Sequence, residues 1–273
     1  MKRRLATAAI LTMIALPAAA QDCAPKVSDA ALIKPGTLVM STNPTLPPMQ
    51  FVDSSGELKG MRITLGDEVA KRLCLEPEYV RIEFSAMIPG LQAGRWDVIN
   101  TGIFWTPERA GMMQMIPYES QAISISVPAG NPNGISKSED LAGKVVGVEI
   151  GGFEESKLRE LAAELEGAGL ETIDVRTFDN FATAYQALRA GQTDATVTID
   201  STAKEYADRG EFDRAISGLF ATPVALAMAN EELASAVVEV MNEMMEDGSY
   251  AALLDEFGIL KNTEPFTVRG PGG

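Results

Sequence analysis

The sequence predicts an α/β protein made of two units of similar size. Segments typical of strands and of amphipathic helices alternate from residue 34 onward, which indicates βαβ units and a largely parallel sheet. A loop of linker composition, GNPNG at 130–134, divides this alternation into two sets. The length of 273 residues fits two modest domains or one large one.

The first unit contains one clear helix among several short strands. Leu65, Val69 and Leu73 recur at i, i+4 and i+8, so they share one helix face that ends near Cys74. The other predicted elements are a strand at 37–41, a hairpin at 50–58, a strand at 78–84, a short helix at 86–93 and a strand at 96–101.

The second unit repeats the alternation. A strand at 144–149 is ended by two glycines, and leucines at i, i+3 and i+7 then mark a helix. Further strands are predicted at 173–175, 194–199 and 223–228, with helices over Phe181, Tyr185 and Leu188 and over Leu233, Val237, Met241 and Met244.

The composition excludes several classes of function. The 23 Lys and Arg against 38 Asp and Glu give a formal net charge of −15, which argues against a nucleic-acid partner because phosphates need basic contacts. Histidine is absent, which removes Ser-His-Asp and Cys-His catalysis and every His-ligated metal site. Carboxylate and Ser-Lys chemistry remain open.

The N-terminus has the layout of a secretory signal peptide. Three basic residues at 2–4 precede a short apolar run at 5–16, and small residues follow. We expect cleavage after Ala20, so that residues 1–20 are a leader and the mature chain has a net charge of −18. A transmembrane anchor is disfavoured, because the apolar run is shorter than the roughly 20 residues that span a bilayer.

The two cysteines, Cys23 and Cys74, would then lie in an oxidising compartment. A disulfide between them would tie the N-terminal segment to the first unit. The alternatives are two free thiols, or a lipidated Cys23, although Gln21 and Asp22 are unsuited to that processing.

Nine short segments resemble, in their order along the chain, a known family: the bacterial extracellular solute-binding proteins of family 3, the amino-acid receptors of ABC importers. Each segment alone is weakly specific, but the ordered set covers nearly the whole chain after the leader. The segments are PPMQF at 47–51, GELKG at 56–60, AKRL at 70–73, MIPGLQAG at 87–94, WDVI at 96–99, TPER at 106–109, LAGKVVGV at 141–148, ALRAGQTDA at 187–195 and MEDGSY at 245–250.

The resemblance implies a two-lobe periplasmic binding protein fold, type II-like, with two hinge crossings and a ligand cleft between the lobes. Lobe 1 would comprise residues 21–129 plus 224–273, and lobe 2 residues 130–223. The resemblance also implies a periplasmic protein that binds an amino acid or a related small zwitterion and meets an inner-membrane ABC permease. We expect a monomer with no cofactor and no metal.

Arg109 is the strongest candidate for ligand binding. Its guanidinium can hold a carboxylate through two parallel hydrogen bonds and stays charged at ordinary pH. By the resemblance, it corresponds to the arginine that binds the α-carboxylate of an amino acid. Thr101 and Gly102 end the preceding strand, and Gly102 allows close approach. Gly152 and Phe153 open a helix whose free N–H groups suit a carboxylate.

Two further candidates come from the resemblance. Asp200 resembles the family aspartate that pairs with the ligand ammonium, although the stretch from Asp194 is one residue longer than usual. Capping of the following helix is the alternative role for Asp200. Phe84 occupies the position of the aromatic wall against which ligand side chains pack, and its alternative role is plain core packing.

Several cleft positions depart from the family pattern. Leu46 stands where a second aromatic is usual, and Asn43 stands where receptors for Lys and Arg often have an acid. Both departures argue against a cationic amino acid. Phe104, followed by Trp105, replaces a small hydroxyl residue, which indicates a more apolar pocket or a different head group. Glu149 either meets a polar ligand end or points to solvent.

Two other functions are alternatives. An enzyme on the same scaffold, of dehydratase or lytic type, would need a cleft carboxylate as general acid, and Glu149, Glu154 and Asp200 are available. A sensor domain would be fused to a membrane segment and a signalling module, and we expect neither here.

Overall fold

The computed structural model describes residues 23–271, which form a mixed α/β fold around one large sheet and one small one. The predicted leader at 1–20 lies outside the described residues. Within residues 23–271, no helix is both long and apolar enough to cross a membrane.

The first half of the chain contains short strands, one long helix and a final long strand. In order, these elements are β1 (Thr37–Thr42), β2 (Thr45–Leu46), β3 (Gln50–Val52), β4 (Leu58–Lys59), α1 (Met61–Arg72), β5 (Glu76–Arg81), α2 (Met87–Gln92), β6 (Val98–Phe104), α3 (Pro107–Ala110) and β7 (Gln114–Pro128). Strands β3 and β4 form the predicted hairpin.

The second half alternates strand and helix until a second long strand returns the chain. Its elements are β8 (Val145–Glu149), α4 (Phe153–Gly167), β9 (Asp174–Phe178), α5 (Phe181–Arg189), β10 (Ala195–Ile199), α6 (Asp200–Asp208), β11 (Phe212–Met228), α7 (Glu231–Glu246) and α8 (Ser249–Glu256). Three 3₁₀ turns at Asp29–Ala31, Phe84–Ala86 and Ser138–Leu141 complete the list.

The large sheet has the strand order β5-β1-β6-β11-β7-β10-β8-β9. Its outer strands are parallel, as predicted, in two groups: β5, β1 and β6 on one side, and β10, β8 and β9 on the other. The two central strands, β11 and β7, are antiparallel to each other and to the neighbour on either side. These two long strands therefore join the two parallel groups into one curled sheet.

The long strands are the main difference from the sequence prediction. No strand was expected at Gln114–Pro128, and only 223–228 of β11 was expected. The predicted strand at 78–84 also ends early, because the chain enters a 3₁₀ turn at Phe84.

The helix predicted from Leu65, Val69 and Leu73 is confirmed as α1, and these three side chains are buried. Helix α1 packs against α7 and α8, which come from the far end of the chain. The β5-β1-β6 side of the sheet is thus covered by helices from both ends of the sequence.

The predicted disulfide between Cys23 and Cys74 is confirmed, with the two Cα atoms 5.5 Å apart. The backbone N–H of Lys26 donates to the carbonyl of Leu73 at 3.1 Å. The bond therefore fastens the N-terminal segment to the end of α1.

Candidate functional site

A small cavity lies between the β5-β1-β6 group and the β10-β8-β9 group. Its volume is about 20 Å³, room for about one water molecule. Its lining brings together nine of the ten predicted binding residues: Asn43, Leu46, Phe84, Thr101, Gly102, Phe104, Arg109, Gly152 and Phe153. Four lining residues were not among these candidates: Glu149, Glu154, Phe181 and Ile199.

Arg109 projects into this cavity from the short helix α3. Thr106 begins that helix, and its hydroxyl accepts a hydrogen bond from the Arg109 backbone N–H at 3.2 Å. The guanidinium donates to the Phe104 carbonyl at 2.9 Å and to the Gly151 carbonyl at 3.5 Å, and lies 5.3 Å from the Phe84 ring centre.

The Arg109 charge has no anion beside it. The side chain is buried, and within residues 23–271 no carboxylate oxygen lies within 4.0 Å of its nitrogens. Burial lowers the pKa of Arg109, and the more distant Glu154 and Glu108 oppose that effect. A buried cation in this state favours an incoming anion strongly, because it has lost its hydration without gaining a counter-charge.

Two carboxyl groups share the cavity with Arg109. Glu149 ends β8 and accepts a hydrogen bond from the Asn43 side-chain amide at 2.6 Å, so it does not point to solvent. Burial raises the pKa of Glu149 well above its usual range, and Glu154 and Glu83 raise it further. Burial also raises the pKa of Glu154, although its own backbone N–H and Arg109 counteract this.

A bulge in β6 delivers Thr101 and Gly102 to the cavity. Ile99 and Ile103 face Ala227 and Ala225 of β11, so three residues of β6 lie opposite the single residue between those two. Such an insertion bends the strand and turns its backbone out of the ladder. Gly102 has a φ of +79°, which glycine adopts at little cost.

Aromatic rings line the cavity from both sides. Phe104 of β6 and Phe153 of α4 lie with ring centres 4.6 Å apart, across the cavity. Gly152 precedes α4 as its N-cap. Phe181 at the start of α5 is also buried here, whereas its helical spacing had predicted only that it lies in a helix.

Asp200 lies outside this cavity. Ile199 lines the cavity, and Asp200 is the first residue of α6. The Asp200 carboxylate accepts hydrogen bonds from the Ser124 hydroxyl and the Gly218 backbone N–H, and does not cap α6. It borders a separate, more open cavity of about 480 Å³.

From the sequence, Glu149 and Glu154 are carboxylates available to an enzyme, and Glu149 is also a residue that could meet a polar ligand end. Their common signal was their place at a strand end and at the start of the next helix, the edge where α/β sheets bind ligands. The described residues contain no group of three or more His, Cys, Asp or Glu arranged to hold a metal ion.

Known proteins resemble this chain over most of its length. Residues 38–259 match the family described as bacterial extracellular solute-binding proteins, family 3. The L-cystine-binding protein TcyJ of Escherichia coli (strain K12) is 32% identical over 232 residues, which cover 81% of this chain and 82% of TcyJ.

Solved structures of amino-acid-binding proteins have a similar fold. An ancestral arginine-binding protein bound to glutamine matches with a TM-score of 0.74 at 33% identity, over 81% of this chain and 97% of that one. The ancestral amino acid-binding protein AncCDT-1, a precursor of cyclohexadienyl dehydratase, gives a TM-score of 0.73 at 29% identity, over 81% and 95%. The two-lobe α/β fold is confirmed, and the chain belongs to the bacterial extracellular solute-binding proteins of family 3.

Proposed function

We propose that this protein captures an amino acid, or a related small zwitterion, between two lobes and delivers it to the permease of an ABC transporter. The observation that carries the proposal is Arg109, a buried guanidinium in the interlobe cavity with no carboxylate within 4.0 Å among residues 23–271. A ligand carboxylate would receive two parallel charge-assisted hydrogen bonds from it. L-cystine and glutamine, named with two of the similar proteins, both carry such a carboxylate beside an ammonium group.

Glu149 and Glu154 are our candidates for binding the ligand ammonium, in the place first given to Asp200. Both line the same cavity as Arg109, whereas the Asp200 carboxylate is already held by Ser124 and Gly218. A cation placed between two buried carboxyl groups lowers their pKa values and lets them ionise. The site would thus hold opposite charges at opposite ends, which selects a zwitterion.

We further propose that the two crossings of the chain lie inside β7 and β11. Strand β7 pairs with β10 only from Ile123 onward, and β11 pairs with β6 only from Val224. This pairing supports crossings near 120–122 and 220–223. Lobe 1 would then end near residue 120 rather than at the predicted residue 129, and residues 123–129 would belong to lobe 2. Ligand contacts to both lobes would then favour the closed form.

The protein would act in the periplasm as a monomer, after removal of residues 1–20. The family of extracellular solute-binding proteins supports export and a transporter partner. A surface with a large excess of acidic residues keeps such a protein soluble.

An enzyme on the same scaffold is the second candidate. One observation favours it: the buried Glu149 carboxyl has a raised pKa, as a general acid requires. AncCDT-1, itself described as amino acid-binding, is a precursor of a dehydratase. The binding function explains both the unpaired Arg109 and the carboxyl groups, and needs no reaction.

Binding of L-cystine, L-arginine, L-glutamine and L-histidine, measured by thermal shift and by calorimetry, tests the proposal. One of them at about 100 times its Kd stabilises the protein by roughly 2.7 kcal/mol, a rise in Tm of several degrees. Arg109→Ala should weaken that binding by about 30-fold or more, because it removes a buried charged contact worth about 2–5 kcal/mol. Arg95→Ala, at an exposed arginine, is the matched control.

Equal binding by Arg109→Ala and Arg95→Ala would contradict the proposal, as would no response to any of the four amino acids. Recovery of the bound amino acid in altered form would establish the enzyme instead.

A further inference from the structure

A second buried arginine, Arg62, lies behind the candidate site and has no role in the function proposed above. Its side chain, in the first turn of α1, is 0% exposed, and so is that of Glu119 in β7. Nε and Nη2 of Arg62 donate to the same Glu119 oxygen at 3.0 and 2.7 Å. The pair is thus a fully buried ion pair between a helix and a central strand.

The third nitrogen of the Arg62 guanidinium, Nη1, faces the cavity wall. Nη1 donates to the Thr101 carbonyl at 3.0 Å and to the Gln50 side-chain oxygen at 3.0 Å. Gln50 in turn donates to the same Thr101 carbonyl at 2.8 Å. A Cβ atom added at Gly102 would lie 2.0 Å from the Arg62 Cζ atom, so the guanidinium occupies the space directly behind this wall.

The other end of this network reaches the central strands. The second Glu119 oxygen accepts a hydrogen bond from the Gln121 amide at 3.0 Å. Glu119 lies opposite Val224, and Gln121 opposite Thr222, in the stretch where β7 and β11 pass from the β6 side to the β10 side. One planar group therefore links the cavity wall to the proposed crossing.

We propose that Arg62 is a positioning residue for ligand binding. It does not line the cavity, but it fixes the Thr101–Gly102 backbone through the Thr101 carbonyl and anchors that backbone to β7 through Glu119. The planar fork matters, because its separate donors serve Glu119, Gln50 and Thr101 at once. Binding groups must be held within about 0.5 Å of their productive position, so loosening this support weakens binding. The inference rests on the proposed function, since it concerns the same cavity.

Arg62→Lys tests the inference, because it keeps the charge beside Glu119 and removes the fork. Val69→Ala is the matched control: it removes buried volume from the same helix, away from the network. Two measurements are made on each variant. The first is the affinity for whichever of L-cystine, L-arginine, L-glutamine and L-histidine binds the wild type most tightly. The second is the ¹⁵N-glycine spectrum without amino acid, in which the Gly102 signal is identified by its loss in Gly102→Ala.

We expect Arg62→Lys to weaken binding at least tenfold and to move the Gly102 amide signal. Val69→Ala should lower Tm, change the affinity by less than twofold and leave that signal in place. An affinity for Arg62→Lys within twofold of Val69→Ala, or an unmoved Gly102 signal, would overturn the inference.

Two outcomes could prevent this comparison, and each has its own further measurement. If Arg62→Lys does not fold, Arg62→Met/Glu119→Met removes both charges together and avoids an unpaired buried ion; the same outcomes then apply. If the wild type binds none of the four amino acids, the proposed function fails, and the Gly102 signal alone decides whether Arg62 positions this wall.

Discussion

Two carboxyl groups share the cavity with one guanidinium, and this imbalance makes the stability of the protein depend in part on pH. When both Glu149 and Glu154 are ionised, the cavity carries an excess negative charge that burial makes costly. Protonation would relieve the excess in the protein alone, and the ammonium of the proposed ligand would relieve it in a complex. On that proposal, neutral pH would favour ligand binding over the unliganded protein.

Glu149→Gln should stabilise the unliganded protein at pH 7.5. The Glu149 pKa is raised well above 4.5 in the folded state, so the folded protein keeps a proton that the unfolded chain releases. This contribution to stability is complete below about pH 4.5 and is lost as the pH rises through the folded pKa. Glutamine avoids that loss and can still accept the hydrogen bond from Asn43. We expect a gain of roughly 1–3 kcal/mol at pH 7.5, a Tm higher by about 3 °C or more.

The measurement is the difference in unfolding free energy between Glu149→Gln and wild type from pH 5 to pH 8, in which other titrating groups cancel. The difference should grow with pH. Glu76→Gln, at an exposed residue of β5, is the matched control. A flat profile for Glu149→Gln would show that this carboxyl is not held in its protonated form.

Local motifs were sufficient to place Arg109, Thr101 and Gly102 at the cavity. The predicted strand end at Thr101 was wrong, because β6 continues through a bulge at these residues to Phe104. Local motifs were not sufficient for Asp200, because Ile199 takes the place at the cavity and the Asp200 carboxylate lies outside it. They were not sufficient for Arg62 either, since its partner Glu119 is 57 residues distant and a helical arginine is usually exposed.

Among the elements, β6 shows how a strand is shaped for a site. Its bulge places Gly102 against Arg62 with a φ of +79°. Gly102→Ala should therefore cost about 1–2 kcal/mol for the left-handed backbone and about 1–3 kcal/mol more for the collision with the guanidinium. Gly94→Ala, with a φ of +66° and no heavy atom within 4 Å of the added Cβ, should cost only the first part. Urea unfolding of both variants measures this difference in unfolding free energy. Equal losses of unfolding free energy in the two variants would show that the collision with Arg62 contributes nothing.

The Cys23–Cys74 disulfide links the N-terminal segment to the end of α1 across 51 residues. On the loop-entropy model, closing a loop of this length stabilises the folded state by about 4 kcal/mol. Cys23→Ala/Cys74→Ala should therefore lower Tm by roughly 8–16 °C. A reducing agent should lower the Tm of the wild type towards that of the variant and leave the variant unchanged. A loss below about 3 °C would mean that the bond constrains little of the unfolded chain.

The elements found from sequence were those with a regular period, such as α1. Strand β7 was missed because Pro117 and Glu119 interrupt the apolar run of its first half. Its second half does alternate, as ISISV at 123–127, so that part carried a strand signal that the prediction overlooked. The first part of β11 contains Gly218 and exposed residues, which is typical of a loop. Both strands exist because they pair with each other, and pairing between distant segments has no local signal.

At the scale of the whole molecule, the two lobes are in contact. The side-chain amides of Asn43 and Asn180 donate hydrogen bonds to Glu149 and Glu83 across the interface. The cavity of about 20 Å³ between the lobes is too small to admit an amino acid. We therefore expect an open form in solution that exchanges with this closed form. Small-angle X-ray scattering of the unliganded protein should give a radius of gyration larger than that calculated from this structure, and saturating amino acid should reduce it. An unliganded radius equal to the calculated one would contradict an open population.

The strand order has one more consequence, for the way the chain is made. Strand β6 pairs with residues 224–228 of β11, and α1 packs on α7 at 231–246. During synthesis these partners leave the ribosome after β8, β9 and β10, and long after β6 and α1. The nascent chain can therefore form the β10-β8-β9 group first, while the apolar faces of β6 and α1 remain exposed to solvent. A chaperone that binds nascent chains would therefore find its binding sites in β6 and α1.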